Sequence, residues 1–372
     1  MELSSLKPLF DRPGPWASVY LDTARETEDG RRLFELRTRA VSDQLASLGA
    51  DERTRQAVVR ALRREPVSGT PPGRALFAKD GEVVAELPLN RSPALVDTHW
   101  STLPHLGPLV DLIGDEPRLL VAHVDRRGAR FELRTSLGHE PLGESRGERF
   151  PVHRTGRADW SSKHYDYKVE DRWDRTARTV AERVNELCGE ADADLVVLAG
   201  DPRERRAVHD RLDELLPDAL ETGPEPRPEE LDDLRRHWRQ SRLATALDRF
   251  WAGRHLPAEE QRRPGMGPGA AAEGIRAVVL AARRRQLETL LVRPDALDGE
   301  AELWIGPDPE HVGLRPDEVE EMGVERPEPV DARDALLRSV TASDAEVLVL
   351  PDDATAPADG IGAVLRWTDR SR

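Results

Sequence analysis

Cysteine occurs once in these 372 residues, as Cys188. A single thiol excludes an intramolecular disulfide and any cysteine-based zinc site, and it fits a cytoplasmic protein. Long apolar runs are missing too: nothing approaches the roughly 18 to 20 consecutive apolar residues of a helical membrane span. The N-terminus, MELSSLKPLF, has no charged start followed by an apolar core, so no secretory signal is expected. Positive charge is in deficit, with 55 Lys and Arg against 70 Asp and Glu, a net −15. An acidic body repels nucleic acid, so any RNA contact must come from a locally basic surface. The motifs of common hydrolases are also absent. There is no HExxH, no close histidine pair at metal-ligand spacing and no GxSxG elbow. Acidic pairs are too numerous for any two to be singled out as acid and base. No catalytic residue, metal or cofactor is expected.

Elements are legible along the chain. Residues 16–21 (WASVYL) read as a strand. Residues 31–48 read as a helix with Phe34, Val41, Leu45 and Leu48 on one stripe. Asp51 caps a second helix, and Asp80-Gly81 between two apolar runs marks a hairpin. RLLVAHVD and ARFELRT form a strand pair turning at Arg126-Arg127-Gly128. A helix follows over 168–188, with Val169, Trp173, Val180, Val184 and Leu187 on one side and Cys188 facing inward. DLVVLAG reads as a buried strand, and Asp201-Pro202 opens the next helix. A Pro- and Glu-rich connector at 223–230 leads to a further helix, then to a helix at 274–284, strands LETLLV and ELWI, a helix at 330–340 and the strand EVLVL. The glycine run 265–269 lacks the Lys-Ser/Thr of a P-loop and reads as a linker. The expected class is α/β in three domains, 1–116, 117–222 and 223–372, the central one a mixed sheet in three layers.

Between strand pair and helix lies the stretch expected to do the work, a long basic loop over 142–167. From Ser145 to Tyr165 it carries Arg146, Arg149, Arg154, Arg157 and Lys163 against Glu148 and Asp159. Trp160, Tyr165, His153 and His164 add stacking surfaces, the combination that holds single-stranded RNA. The plainer reading is a surface loop balancing acidic helices, with Trp160 folded onto its own domain.

The order of elements from Arg118 to Phe250, through LVVLAGDPRERRAVHDRL, resembles the central domain of the archaeo-eukaryotic class-one peptide release factors and pelota. GAAAEGIRAVVLAARRRQLETLLV and the closing GIGAVLRW look like their third domain, which implies an α/β/α-type C-terminal domain. In that family the loop carries GRGGQS, whose glutamine helps place a hydrolytic water. Here GRADWS (156–161) stands in the matching place, with Ala158 and Asp159 for the two glycines and Trp160 for the glutamine. Indole only donates, so it cannot supply the amide's donor and acceptor. The resemblance extends to an actinobacterial branch of Balon-like ribosome hibernation factors, and the Arg-, Ala- and Pro-rich composition suits such a source. It implies binding of the 70S ribosome at the vacant A site, contact with rRNA, protection under stress and elongation factor Tu as a partner. The expected rRNA-facing residues are Arg154, Gly156, Arg157, Trp160, Lys163 and Tyr165, with His153 and His164 in support. A cytoplasmic monomer is expected. Peptidyl-tRNA hydrolysis on stalled ribosomes is the alternative reading, and a stress-related scaffold that never touches RNA is the third.

Overall fold

A computed structural model describes residues 4–23, 28–64, 73–89, 91–113, 115–135, 138–146, 162–213, 216, 219–255, 271–294, 296–297 and 301–367; for 4–5, 162–173 and 255 it describes backbone alone. The chain folds as mixed α/β, in two compact units: residues 1–115 with 240–372, and residues 116–239.

The first unit begins with β1 (Trp16–Asp22), α1 (Glu28–Ser47), α2 (Glu52–Arg63), β2 (Gly73–Lys79), β3 (Glu82–Leu89), β4 (Asp97–Ser101) and α3 (Gly107–Ile113). Its antiparallel sheet has the order β3-β2-β1-β4. The β2–β3 turn falls on Asp80 and Gly81, at φ 50° and 85°, the positive pair that a two-residue hairpin needs. Asp51 caps α2 by accepting the Thr54 N–H. Phe34, Val41 and Leu45 of α1 are buried as their spacing predicts, whereas Leu48 is exposed because the helix has ended at Ser47.

The second unit comprises β5 (Leu119–Asp125), β6 (Gly128–Thr135), β7 (Gly138–Arg146), α4 (Ser162–Glu190), β8 (Leu195–Gly200), α5 (Pro202–His209), β9 (Ala219–Thr222) and the start of α6 (Pro228–His255). The sheet runs β7-β6-β5-β8-β9, with β5, β8 and β9 parallel and β6 and β7 antiparallel. Alternation along β5 sends Leu120 and Ala122 to one face, where Val180, Val184 and Leu187 of α4 and Val208 of α5 cover them. Leu119 and Val121 go to the other face, against Leu231 and, half-buried, Trp238 of α6. The three layers follow from that alternation, since each buried Val or Leu contributes about 1.5–3 kcal/mol. Cys188 is buried beneath α4, and burial with the charges of Asp192 and Asp194 pushes its thiol upward in pKa.

The stretch expected as one loop over 142–167 differs at both ends. Strand β7 continues to Arg146, and α4 begins at Ser162. The strand escaped notice because it is an exposed edge, so it carries no apolar alternation. The helix outruns its apolar stripe because SKHYDY contains neither Gly nor Pro to stop it.

The chain then re-enters the first unit through the rest of α6, followed by β10 (Ala271–Glu273), α7 (Gly274–Arg283), β11 (Leu287–Val292), β12 (Glu302–Ile305), β13 (Val312–Gly313), α8 (Pro316–Glu320), β14 (Glu328–Asp331), α9 (Ala332–Ala342), β15 (Glu346–Val349) and β16 (Ile361–Leu365). One sheet has the order β10-β16-β11-β15, a smaller one β13-β12-β14. Val278 of α7 and Leu336 and Val340 of α9 share one core with Trp16, Tyr20 and Phe77 of the N-terminal sheet, which makes the two segments a single unit. The opposite face of the β11 sheet is covered by Ala246 and Phe250 of α6. Among the described residues, no helix is long and apolar enough to cross a membrane. The glycine run at 265–269 lies outside the described residues.

Candidate functional site

Of the residues expected to face RNA, His153, Arg154, Gly156, Arg157 and Trp160 lie outside the described residues. Lys163, His164 and Tyr165 are in the first turn of α4, described as backbone. What the structure does describe is the frame that carries this stretch. Strand β7 is paired along its length with β6, from Gly138 opposite Thr135 to Arg146 opposite Gly128. Pro141 lies in this edge strand, where its missing N–H costs no ladder bond. At the far end of the frame, α4 is locked onto the sheet by Ala177, Val180, Ala181 and Val184.

Charges on the frame are mostly settled locally. Arg146 pairs with Glu144 at 2.7 Å. Glu132 accepts from His123 at 3.2 Å and from Arg134 at 2.7 Å. Burial alone would raise the Glu132 carboxyl, but those two donors outweigh it and hold it below its ordinary value. At the β5–β6 turn, Asp125 accepts the Arg127 N–H at 2.6 Å and Arg126 reaches Glu204 of α5 at 2.9 Å. Strand β7, from which the expected RNA-facing stretch leaves, is held by its ladder to β6.

A second cluster lies in the first unit, and sequence reasoning missed it. The fold brings Asp97 and His99 of β4 beside His105, and His105 beside Asp331 and Asp334 at the start of α9. His99 Nε2 is 2.7 Å from Asp97 Oδ1, and His105 Nδ1 is 2.7 Å from Asp334 Oδ2. The two imidazole rings lie 3.8 Å apart between centroids, tilted by 32°. The other oxygen of Asp334 accepts the N–H groups of Leu106 at 2.8 Å and Gly107 at 3.3 Å. Tyr20 donates its hydroxyl to the His105 carbonyl at 2.5 Å, and Ser18 accepts the His105 N–H at 2.9 Å. Tyr20, Asp97, His99, His105 and Asp331 border a cavity of about 510 Å³ that also meets Asp111 and Arg333, themselves paired at 3.1 Å.

Titration follows the geometry. Burial would depress the His105 imidazole, but the hydrogen bond and charge of Asp334, with Asp331 and Asp97, outweigh it and raise the pKa. Burial and then the charge of Asp334 push Asp331 upward. Burial would also raise Asp97, yet the hydrogen bond and charge of His99, with the charge of His105, bring it down. Tyr20 is driven well above its ordinary value by burial first and by Asp334 and Asp97 next. The one sequence signal was the Asp97-x-His99 spacing, which puts both side chains on one face of a strand.

Residues 118–256 match the bacterial archaeo-eukaryotic release factor family 2. Over its whole length the chain is 28% identical to two uncharacterised proteins of Mycobacterium tuberculosis, MT2704 of strain CDC 1551 / Oshkosh and Rv2629 of strain H37Rv, covering 98% of each. Among solved structures it is similar to an archaeal translation termination factor, at 18% identity over 98% of this chain and 96% of that one, TM-score 0.22. It is also similar to Saccharomyces cerevisiae Dom34, at 12% identity over 80% of both chains, TM-score 0.35. Archaeoglobus fulgidus Pelota is similar at 16% identity over 80% of both chains, TM-score 0.30. The family match spans the second unit, with its β5-to-β9 sheet and the frame of β7 and α4, together with the rest of α6. Residues 118–256 are thus what makes this chain similar to the bacterial archaeo-eukaryotic release factor family 2.

Proposed function

We propose that this protein is a ribosome-binding translation factor that occupies the vacant A site and protects the ribosome in stasis, without releasing peptide. The observation that carries the reading is the match of residues 118–256 to the bacterial archaeo-eukaryotic release factor family 2, with GRADWS at 156–161 standing where the resemblance to the class-one release factors would place GRGGQS. A fold kept without the glutamine suits a protein that enters the same place and leaves the ester intact. The sequence from Ser145 to Tyr165 is basic and aromatic within a chain of net charge −15. Attraction to rRNA is thereby confined to one tip, and the acidic body limits indiscriminate RNA binding. Arg154, Gly156, Arg157, Trp160, Lys163 and Tyr165 form the proposed contact, with His153 and His164 in support, and elongation factor Tu is the proposed carrier.

Base stacking on an aromatic ring is worth about 1–3 kcal/mol, so Trp160→Ala is expected to weaken ribosome binding roughly 5- to 150-fold. Arg157→Ala should weaken it as well and flatten its salt dependence, since one phosphate contact is lost. Pull-down of purified 70S ribosomes with each variant measures both, and binding unchanged in the two would remove the proposed contact. A peptidyl-tRNA hydrolysis assay on the same complexes then separates the readings: no release supports protection, and turnover favours a release factor.

A further inference from the structure

We propose that Asp97, His99 and His105 form a binding site for a divalent transition-metal ion of the zinc type, independent of the ribosomal role. One ring nitrogen from each histidine and one oxygen of Asp97 lie within 4.8 Å of one another. Ligand atoms on one tetrahedral zinc ion are about 3.3–3.5 Å apart, given bonds of about 2.0–2.2 Å. The trio therefore needs to close by roughly an ångström or so at its widest to hold an ion. Two imidazoles and a carboxylate are a donor set that suits zinc, cobalt or nickel and not magnesium or calcium, which take oxygen.

The surroundings favour this trio over the neighbouring group of His105, Asp331 and Asp334. Both oxygens of Asp334 are already engaged, one by the Leu106 and Gly107 N–H groups and the other by His105 Nδ1. Asp331 accepts the N–H groups of Arg333 and Asp334 as the cap of α9. With Nδ1 held by the buried Asp334 carboxylate, the Nδ1 proton stays in place and an arriving ion takes Nε2, displacing any proton there. A carboxylate behind a histidine in this way fixes the tautomer and raises the ligand's basicity, the usual outer layer of a metal site. Asp97 and His99 are each more than a third exposed, at 38% and 39%, so an ion can arrive from solvent. Three protein ligands at the edge of a 510 Å³ cavity leave a fourth position for water or a small anionic ligand.

The test uses the full chain, stripped with chelator and titrated with Co²⁺ as the probe, then with Zn²⁺ in competition. One equivalent of Co²⁺ should give the intense visible bands of a tetrahedral nitrogen- and oxygen-ligated ion, displaced by Zn²⁺. A sulfur-to-cobalt charge-transfer band would instead point to Cys188 and overturn the assignment. His99→Ala and Asp97→Asn lie on a half-exposed strand, and each should bind at least about tenfold more weakly while keeping the wild-type far-ultraviolet circular dichroism. His123→Ala, in the other unit, should bind like wild type. Absence of the tetrahedral spectrum in the wild-type protein, or equal affinity in wild type and both β4 variants, would overturn the proposal.

Discussion

Replacing Asp334 with alanine is expected to destabilise the first unit by about 3–5 kcal/mol, because it breaks a buried charged pair on one side. The carboxylate is 3% exposed and serves three donors: His105 Nδ1, the Leu106 N–H and the Gly107 N–H. Each buried donor left without a partner costs about 1–3 kcal/mol, so the sum agrees with the pair estimate. These bonds join two segments 227 to 229 residues apart in sequence, so the loss falls on their union. Asp334→Asn retains one acceptor oxygen for the two amides and should lie between wild type and alanine. Hydrogen exchange in the full chain reads the effect unit by unit: amides of β1 and α9 should exchange faster, while those of β5 and β8 stay as they were.

The same substitution changes the response to pH. The folded His105 imidazole binds its proton more tightly than the unfolded one. Its contribution is therefore complete below the ordinary histidine value of about 6.5, and it is lost as pH rises through the raised folded value. Wild-type protein should thus lose stability in the first unit on passing upward from near-neutral pH. In Asp334→Ala the main upward influences are gone and burial acts against protonation, with only Asp331 and Asp97 still opposing it. The His105 ring-proton titration should then move to lower pH, with the fall in stability toward alkaline pH correspondingly smaller. A His105 midpoint unmoved by the substitution would show that the Asp334 contact does not govern it.

The second large effect is expected at Gly128, where β6 starts. Its φ is 150°, and a Cβ there would overlap the backbone carbonyl of Ser145 in β7. A side chain at this φ costs about 1–3 kcal/mol in strain, and forcing two backbones apart costs about another 1–3 kcal/mol. Gly138 supplies the control: its φ is also positive, at 126°, but no atom lies within 4 Å of the added Cβ. Gly128→Ala should therefore lose about 2 kcal/mol more than Gly138→Ala, with β7 amides exchanging first. Because β7 delivers the chain to residue 147, Gly128→Ala should also weaken ribosome binding although it touches no RNA. Equal losses in the two variants would mean that β7 yields freely and does not position the basic stretch beyond Arg146.

The sequence announced its elements where local chemistry is self-sufficient. Asp80-Gly81 carries its own turn, Asp51 and Asp201 each cap the next helix, and β5 and β8 are apolar because both their faces are covered. Strands without an apolar face were illegible, β7 above all, as were the short β9 and β14 that are held by their neighbours' ladders. Leu48 shows the opposite error, a residue in phase with a stripe but one step beyond the helix that would have buried it. The His/Asp cluster was invisible for a different reason. His105 and Asp334 meet only because Leu103, Leu106 and Leu109 pack into one core with Leu336 and Leu337 of α9, and no spacing rule reaches across 229 residues. The basic stretch could be named from sequence because it is a contiguous string, and residues 147–161 of it lie outside the described residues.

Ribosome binding through the basic tip is tested most directly by co-sedimentation of the full chain with vacant 70S ribosomes over a salt series, beside Trp160→Ala. Binding at low salt is expected, weakening steeply as salt rises and largely lost in the variant. No binding at low salt, with or without elongation factor Tu, would contradict the proposed function and leave only the fold.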